Sequence, residues 1–355
     1  MNEQERYETV DIPFYEAEIA PILPPEVLDF HTHIWTREHW EQKPWETNSP
    51  GGKYMVTQED YAVERLITDG KTIFPDRPYN AVCFGLPTPT AHLGKTNDYA
   101  AQAGTSRGLY PLLITGRNLI PRHELERRIT QEGFFGYKVF LNWLGDDYGL
   151  VRIEDMIGPA EMSLADELKL IVLLHVPRAG RLADPDVQQG VRRLALDYPN
   201  AAIVLAHCGR AYLPDEMMSA VHSVKDLDNV YVDTAMVMDP TVLQILFEYI
   251  DRRRVVFGTD LPIANMRGRR VYLMDHWVDV VLGGYPASAY RVASDNIRAT
   301  FMAYEIVLAI RRAGCMAGLS ASEIRELFYA TGMHLLGRVM RGSQLKAAKG
   351  RWGDS

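Results

Sequence analysis

The sequence predicts an α/β fold, a (β/α)8 TIM barrel with a lid insertion after strand 1 and extra C-terminal helices. Three observations predict it. Eight short apolar, β-branched runs recur along the 355 residues: Glu26 to His33, Asn80 to Leu86, Leu109 to Thr115, Phe134 to Leu141, Lys169 to Val176, Ala201 to Cys208, Asn229 to Ala235 and Arg254 to Asp260. From the second onward their starts are 29, 25, 35, 32, 28 and 25 residues apart, close to one βαβ unit. Runs such as Ile171-Val172-Leu173-Leu174 and Ile203-Val204-Leu205-Ala206 are apolar throughout, which suits strands covered on both faces of a parallel sheet.

In chain order, residues 1–25 form an N-terminal arm and residues 26–355 a single barrel domain. The first run ends in His31-Thr32-His33, and 54 residues separate its start from that of the second. That interval holds a Trp-, Pro- and Gly-rich piece, Trp35 to Tyr54, and a helix at about Gln58 to Asp69, so residues 35–79 read as an insertion over the barrel mouth. Asp184-Pro185 opens a helix through Leu196, and Asp239-Pro240 one through Ile250; each sets a capping carboxylate before a proline at the first helical position. Residues 291–340 close the fold with two helices, Ile297 to Arg312 and an amphipathic segment from Ser320 to Met340, where Ser320 and Glu323 have capping-box spacing. A doubly wound open sheet shares the alternation, but no G-x-G-x-x-G follows the first run, and a dinucleotide turn is not expected.

Composition narrows the functional classes. With 46 acidic against 38 basic side chains the net charge is -8, which argues against a general nucleic-acid binder. Met1 to Val10 is acidic and polar, unlike a signal peptide, and no run is long and apolar enough to span a bilayer. Three distant cysteines, Cys83, Cys208 and Cys315, suit a reduced compartment. The expectation is a cytoplasmic protein without nucleic-acid or membrane partners.

Chemistry gathers where the runs end. His31 and His33 are on the first, His175 on the fifth, His207 on the sixth, and Asp260 ends the eighth. Residues i and i+2 of a strand share a face, so His31 and His33 project together. The C-terminal ends of barrel strands meet on one face, which would bring all five into one site. Singly, each has an ordinary explanation as a satisfied core histidine or a turn-capping carboxylate. Jointly, imidazoles and a carboxylate in an apolar interior satisfy one another around a divalent cation.

On these residues the chain resembles the amidohydrolase superfamily, in the amidohydrolase-related branch with the aminocarboxymuconate-semialdehyde decarboxylase-like proteins. The likeness rests on Val27-Leu28-Asp29-Phe30-His31-Thr32-His33, Gly136-Tyr137-Lys138, His175, Ala206-His207-Cys208-Gly209 and Phe257-Gly258-Thr259-Asp260-Leu261-Pro262. It implies that His31, His33, His175 and Asp260 hold one divalent metal ion, Zn2+, with His207 beside it to polarise substrate. In binuclear relatives a lysine at the place of Lys138 is carboxylated and bridges two metals; in this branch it accompanies one, so Lys138 is read as a substrate-side residue. It also brings the expectation of a homodimer, with the C-terminal helices as one candidate interface.

Such a centre lowers the pKa of bound water, and Asp260 is placed to accept its proton and return it to a leaving group. That is hydrolysis of a lactone, ester or amide; the same parts can serve a decarboxylase of an unsaturated or aromatic carboxylic acid. Arginines follow the strands: Arg178 and Arg181 after the fifth, Arg210 after the sixth, and Arg267, Arg269 and Arg270 after the eighth. Guanidinium groups pair with carboxylates, so the expected substrate is a small anion, with Arg178 and Arg210 as its nearest partners and Trp35 as an apolar wall.

Overall fold

A computed structural model of the chain describes residues 2–40, 60–86, 88, 90–144, 148–273, 276–282, 289–292 and 298–339. The apolar runs form a closed parallel barrel. Its strands are β1 (Val27–His33), β2 (Tyr79–Phe84), a third stave in two pieces, β3 (Tyr110–Pro111) and β4 (Leu113–Ile114), then β5 (Gly136–Val139), β6 (Ile171–Leu174), β7 (Ala202–Leu205), β8 (Val230–Asp233) and β9 (Val255–Val256). Sequential neighbours pair in parallel, β1 with β2 and β3, and β4 through β9 in order. Leu112 N–H donates to the Cys83 carbonyl at 2.9 Å and joins the two sheets across the split stave. The ring closes between the first and eighth staves, where Phe30 N–H donates to Phe257 O (2.7 Å), Asp260 N–H to His31 O (2.8 Å) and His33 N–H to Leu261 O (2.9 Å).

Every residue of β5 through β9 is buried, as expected of strands with side chains packed inside the barrel and helices outside. Gly136 opens β5 at φ 151, and a Cβ there would lie 1.9 Å from the Ile171 carbonyl oxygen, so only glycine lets β5 approach β6.

The strands are shorter than the apolar runs, because the last residues of the runs peel away at the C-terminal rim. There Arg178, Arg181, His207, Cys208, Arg210, Met236 and Asp260 all adopt left-handed backbone, which is uncommon for residues with a Cβ. Such conformations persist where the surroundings over-determine them, and they cluster at functional sites.

The helix starts follow the capping signals. Asp184 accepts from the amides of Asp186 and Val187 to begin the helix Pro185–Asp197, Asp239 accepts from Thr241 to begin Pro240–Tyr249, and Ser320 with Glu323 caps Ala321–Leu327. The segment expected as one helix from Ser320 breaks after Leu327 and resumes over residues 330–339. The helix expected near Gln58 runs over Val63–Ile73. Residues 41–59, the middle of the expected insertion, lie outside the described residues, as do Ile297 and Met340. Its flanks meet through an antiparallel pairing of Trp35 with Tyr61. Among the described residues the helix Met302–Met316 follows, and none is long and apolar enough to cross a membrane.

One element was not expected. After β9 the chain forms a small sheet of β10 (Gly268–Leu273), β11 (His276–Leu282) and β12 (Ala289–Val292), so Arg269 and Arg270 sit on a strand rather than in a rim loop. Arg267, just before β10, pairs with the buried Asp11 at 2.7 Å and with Glu3, fastening the N-terminal arm. Phe14 and Tyr15 of the arm pack their rings 6.1 and 5.9 Å from that of Tyr304.

Candidate metal centre

The C-terminal rim brings the strand-end residues together. β1 presents His31 and His33 on one face, with ring centroids 5.6 Å apart, and the His207 ring lies 4.6 Å from that of His31. Potential ligand atoms of His31, His207 and Asp260, all three buried, lie within 4.8 Å of one another. His33 Nε2 is 3.0 Å from Asp260 Oδ1, and His31 Nε2 is 3.5 Å from the same oxygen. His175 stands at the edge of this group, half-buried, its ring 5.0 Å from that of His207.

The imidazole tautomers can be read from what each Nδ1 meets. His31 Nδ1 faces the Asp233 carboxylate at 2.8 Å, His33 Nδ1 the Gly85 carbonyl at 3.2 Å and His207 Nδ1 the Ala235 carbonyl at 3.0 Å. Carbonyls and carboxylates only accept, so the proton of His31 and of His207 belongs on Nδ1 and the Nε2 of each is left with a lone pair. Burial, the largest influence on both rings, pushes His31 well below its usual range and His207 down to about 3, so both are neutral at pH 7. At Asp260 burial opposes ionisation. The hydrogen bond with His33 and the electrostatic influence of the surrounding imidazoles outweigh it and hold the carboxyl well below its ordinary range.

This donor set fits a divalent cation. Two ligands at about 2.0–2.1 Å from a tetrahedral Zn2+ stand about 3.3 Å apart, and the two imidazole-to-Asp260 separations bracket that value. His33 has acceptor oxygens facing both ring nitrogens, an arrangement that calls for a second proton or a cation shared by Nε2 and Asp260.

Lys138, on β5, is fully buried. Its Nζ is 3.3 Å from His31 Nε2 and lies over the rings of Phe84 and Phe140 at 4.7 and 4.9 Å. Burial lowers its pKa to about 8, against the pull of Asp233 and Asp260.

The remaining expected residues divide. Trp35 is completely buried with its ring 5.5 Å from Tyr61, so it packs as core and gives no open wall. The Arg178 guanidinium is taken up by the carbonyls of Leu150 and Val151 and the carboxylates of Asp184 and Asp186. Arg181 pairs with Glu216, Arg267 with Asp11 and Glu3, Arg269 with Glu305 and Arg270 with Asp279. Of the six arginines, Arg210 is the one that pairs with no carboxylate among the described residues; its partners are the carbonyls of Val176 and Arg178 and the ring of Tyr148. The expected role of His207 also changes. With its proton on Nδ1, its Nε2 accepts, so the neutral ring can ligate or take a proton but cannot donate to a developing oxyanion.

Two residues escaped the sequence reading. Asp233 ends β8, and the strand-end logic that selected Asp260 would have found it. Tyr212 is buried between Arg270 and Arg181, with its ring 6.4 Å from that of His207; nothing in the sequence marks it.

Comparison with known proteins places the chain in a family and supports its fold. A family model described as amidohydrolase matches residues 28–300. Among solved structures, a 4-oxalomesaconate hydratase from Rhodopseudomonas palustris is 16% identical with a TM-score of 0.58, covering 91% of this chain and 99% of its own. A Pseudomonas putida protein assigned as a 2-pyrone-4,6-dicarboxylic acid hydrolase is 17% identical with a TM-score of 0.54, covering 89% and 99%. A 5-carboxyvanillate decarboxylase from Novosphingobium aromaticivorans with bound manganese is 13% identical with a TM-score of 0.54, covering 88% and 97%. No curated protein matches the sequence.

Proposed function

The chain belongs to the amidohydrolase family over residues 28–300, and from that premise we propose that it is a metal-dependent hydrolase of a small carboxylate-bearing lactone, ester or amide. The observation that carries this reading is the convergence of imidazole Nε2 atoms on Asp260 at the rim of the barrel, with the Nδ1 protons of His31 and His207 engaged elsewhere.

His31, His33, His175 and Asp260 would hold one divalent ion, for which the nitrogen-rich donor set favours Zn2+. When bound, the ion supplies a water of near-neutral pKa and polarises the scissile carbonyl. Asp260 takes the proton of the attacking water and returns it to the leaving group. His207, neutral and accepting at Nε2, stands beside the reacting atoms as a second proton acceptor. Lys138 offers an ammonium to substrate oxygens from a dry wall of Phe84 and Phe140. Arg210, with no carboxylate of its own among the described residues, receives that of the substrate.

Assay of the untagged, metal-loaded protein against acidic lactones and esters by proton release, and against unsaturated and aromatic acids by CO2 release, tests this. Proton release abolished by chelation and by His31→Ala supports the hydrolase. CO2 release alone would replace it by a decarboxylase, and turnover that survives both treatments would overturn the metal centre.

A further inference from the structure

We propose that Asp233 is a positioning residue with two simultaneous tasks: it fixes the proton of His31 on Nδ1, and it pins the left-handed turn that presents His207. The inference builds on the reading of His31 as a metal donor with His207 beside it.

Asp233 is fully buried at the end of β8, and its two oxygens are divided between two elements. Oδ2 accepts from His31 Nδ1 at 2.8 Å. Oδ1 accepts from the backbone amides of His207 at 2.7 Å and Ala235 at 3.1 Å. The adjoining main chain completes the cradle: the Ala235 carbonyl receives His207 Nδ1 at 3.0 Å, and the Asp233 carbonyl receives Cys208 Sγ at 3.3 Å.

The turn needs such a hold. His207, Cys208, Gly209 and Arg210 have φ of 55, 52, 67 and 60, a run that three of them adopt only against the clash of their Cβ. One carboxylate therefore couples the tautomer of the β1 histidine to the conformation of the turn after β7. The resulting carboxylate–imidazole pairing aims His31 Nε2 at Asp260 and raises its basicity, as outer partners of metal-bound histidines do.

Asp233→Asn separates the two tasks. The two backbone amides demand the remaining oxygen, so the new NH2 group is turned toward His31 Nδ1. An amide NH2 cannot accept, so His31 must move its proton to Nε2, and its lone pair no longer faces Asp260. The main-chain hydrogen bonds survive, and the turn with them.

The test is 15N NMR of the imidazoles in metal-free wild type and Asp233→Asn at one fixed pH, with Zn2+ affinity measured by chelator competition on the same samples. Expected are an Nδ1–H tautomer for His31 in wild type, an Nε2–H tautomer in the variant, and an affinity lower by about 10- to 100-fold at an unchanged fold. An Nε2–H tautomer in wild type, or a variant with unaltered tautomer and affinity, overturns the proposal. The wild-type spectrum decides the first task even if the variant does not fold. Correct tautomers in a wild type that binds no metal would sink the proposed hydrolase and leave the positioning role standing.

Discussion

At the scale of single residues, the five strand-end groups were legible because their chemistry is costly unless shared: a buried carboxylate and several imidazoles need one another or a cation. Their partners were less legible. Asp233 and Tyr212 depend on which turn faces which, and the pairing of five rim arginines with Asp11, Glu3, Asp184, Asp186, Glu216, Asp279 and Glu305 is a matter of three-dimensional neighbourhood. Among the described residues, the set of six arginines expected at the mouth thus reduces to Arg210 as the one without a carboxylate partner. Arg210→Gln is expected to raise KM for the carboxylate substrate at least about tenfold with a smaller effect on kcat, the mark of a lost charge-assisted contact made in ground and transition states alike. Steady-state kinetics measure it, and an unchanged KM would remove Arg210 from substrate binding.

At the scale of elements, capping chemistry located the helix starts, but it could not show where the apolar runs stop being strands. The reason is visible in the segment after β7: apolar Ala206 and Cys208 extend the run in sequence, while Asp233 bends the backbone into a left-handed turn. Gly209 within it has φ 67, and an added Cβ would lie 2.6 Å from the Leu182 side chain. Gly209→Ala is expected to destabilise the protein by about 1–3 kcal/mol and to weaken metal retention, as read by denaturant unfolding and metal analysis.

The seam between β1 and the eighth stave offers a pH signature. Asp29 is buried and accepts from the amides of His31 and Thr259 and from the hydroxyls of Thr259 and Tyr79. Burial, opposed by these hydrogen bonds, raises its pKa to about 7. Between an unfolded-state value of about 4 and that value, the native state keeps a proton that the unfolded chain has released. Asp29 therefore contributes stability at low pH that is lost as pH rises toward 7. Asp29→Asn, which has no charge to bury, is expected to lose less stability than wild type between pH 5 and pH 8; thermal unfolding of metal-free samples measures this, and a parallel loss would contradict it.

At the scale of the whole molecule, the eight-stave barrel was legible from the apolar runs and their spacing, because a parallel strand requires a return helix and the repeats from the second run onward are of similar length. The β10–β12 sheet was not, since its strands mix charged with apolar residues, with Arg269, Arg270 and Asp279 among them. One link, between this part of the chain and the N-terminal arm, runs through Arg267 and the buried Asp11. Arg267→Ala leaves that carboxylate buried without its cation, and a loss of about 3–5 kcal/mol is expected in equilibrium unfolding, where a change below about 1 kcal/mol would mean that the arm is not held there.

The account rests on a metal centre at the barrel rim, and elemental analysis of untagged protein after equilibration with Zn2+ and Mn2+ and removal of free ion tests it most directly. We expect about one equivalent of divalent metal per chain in wild type and its loss in His31→Ala; less than about half an equivalent in wild type, or full retention in the variant, would contradict the account.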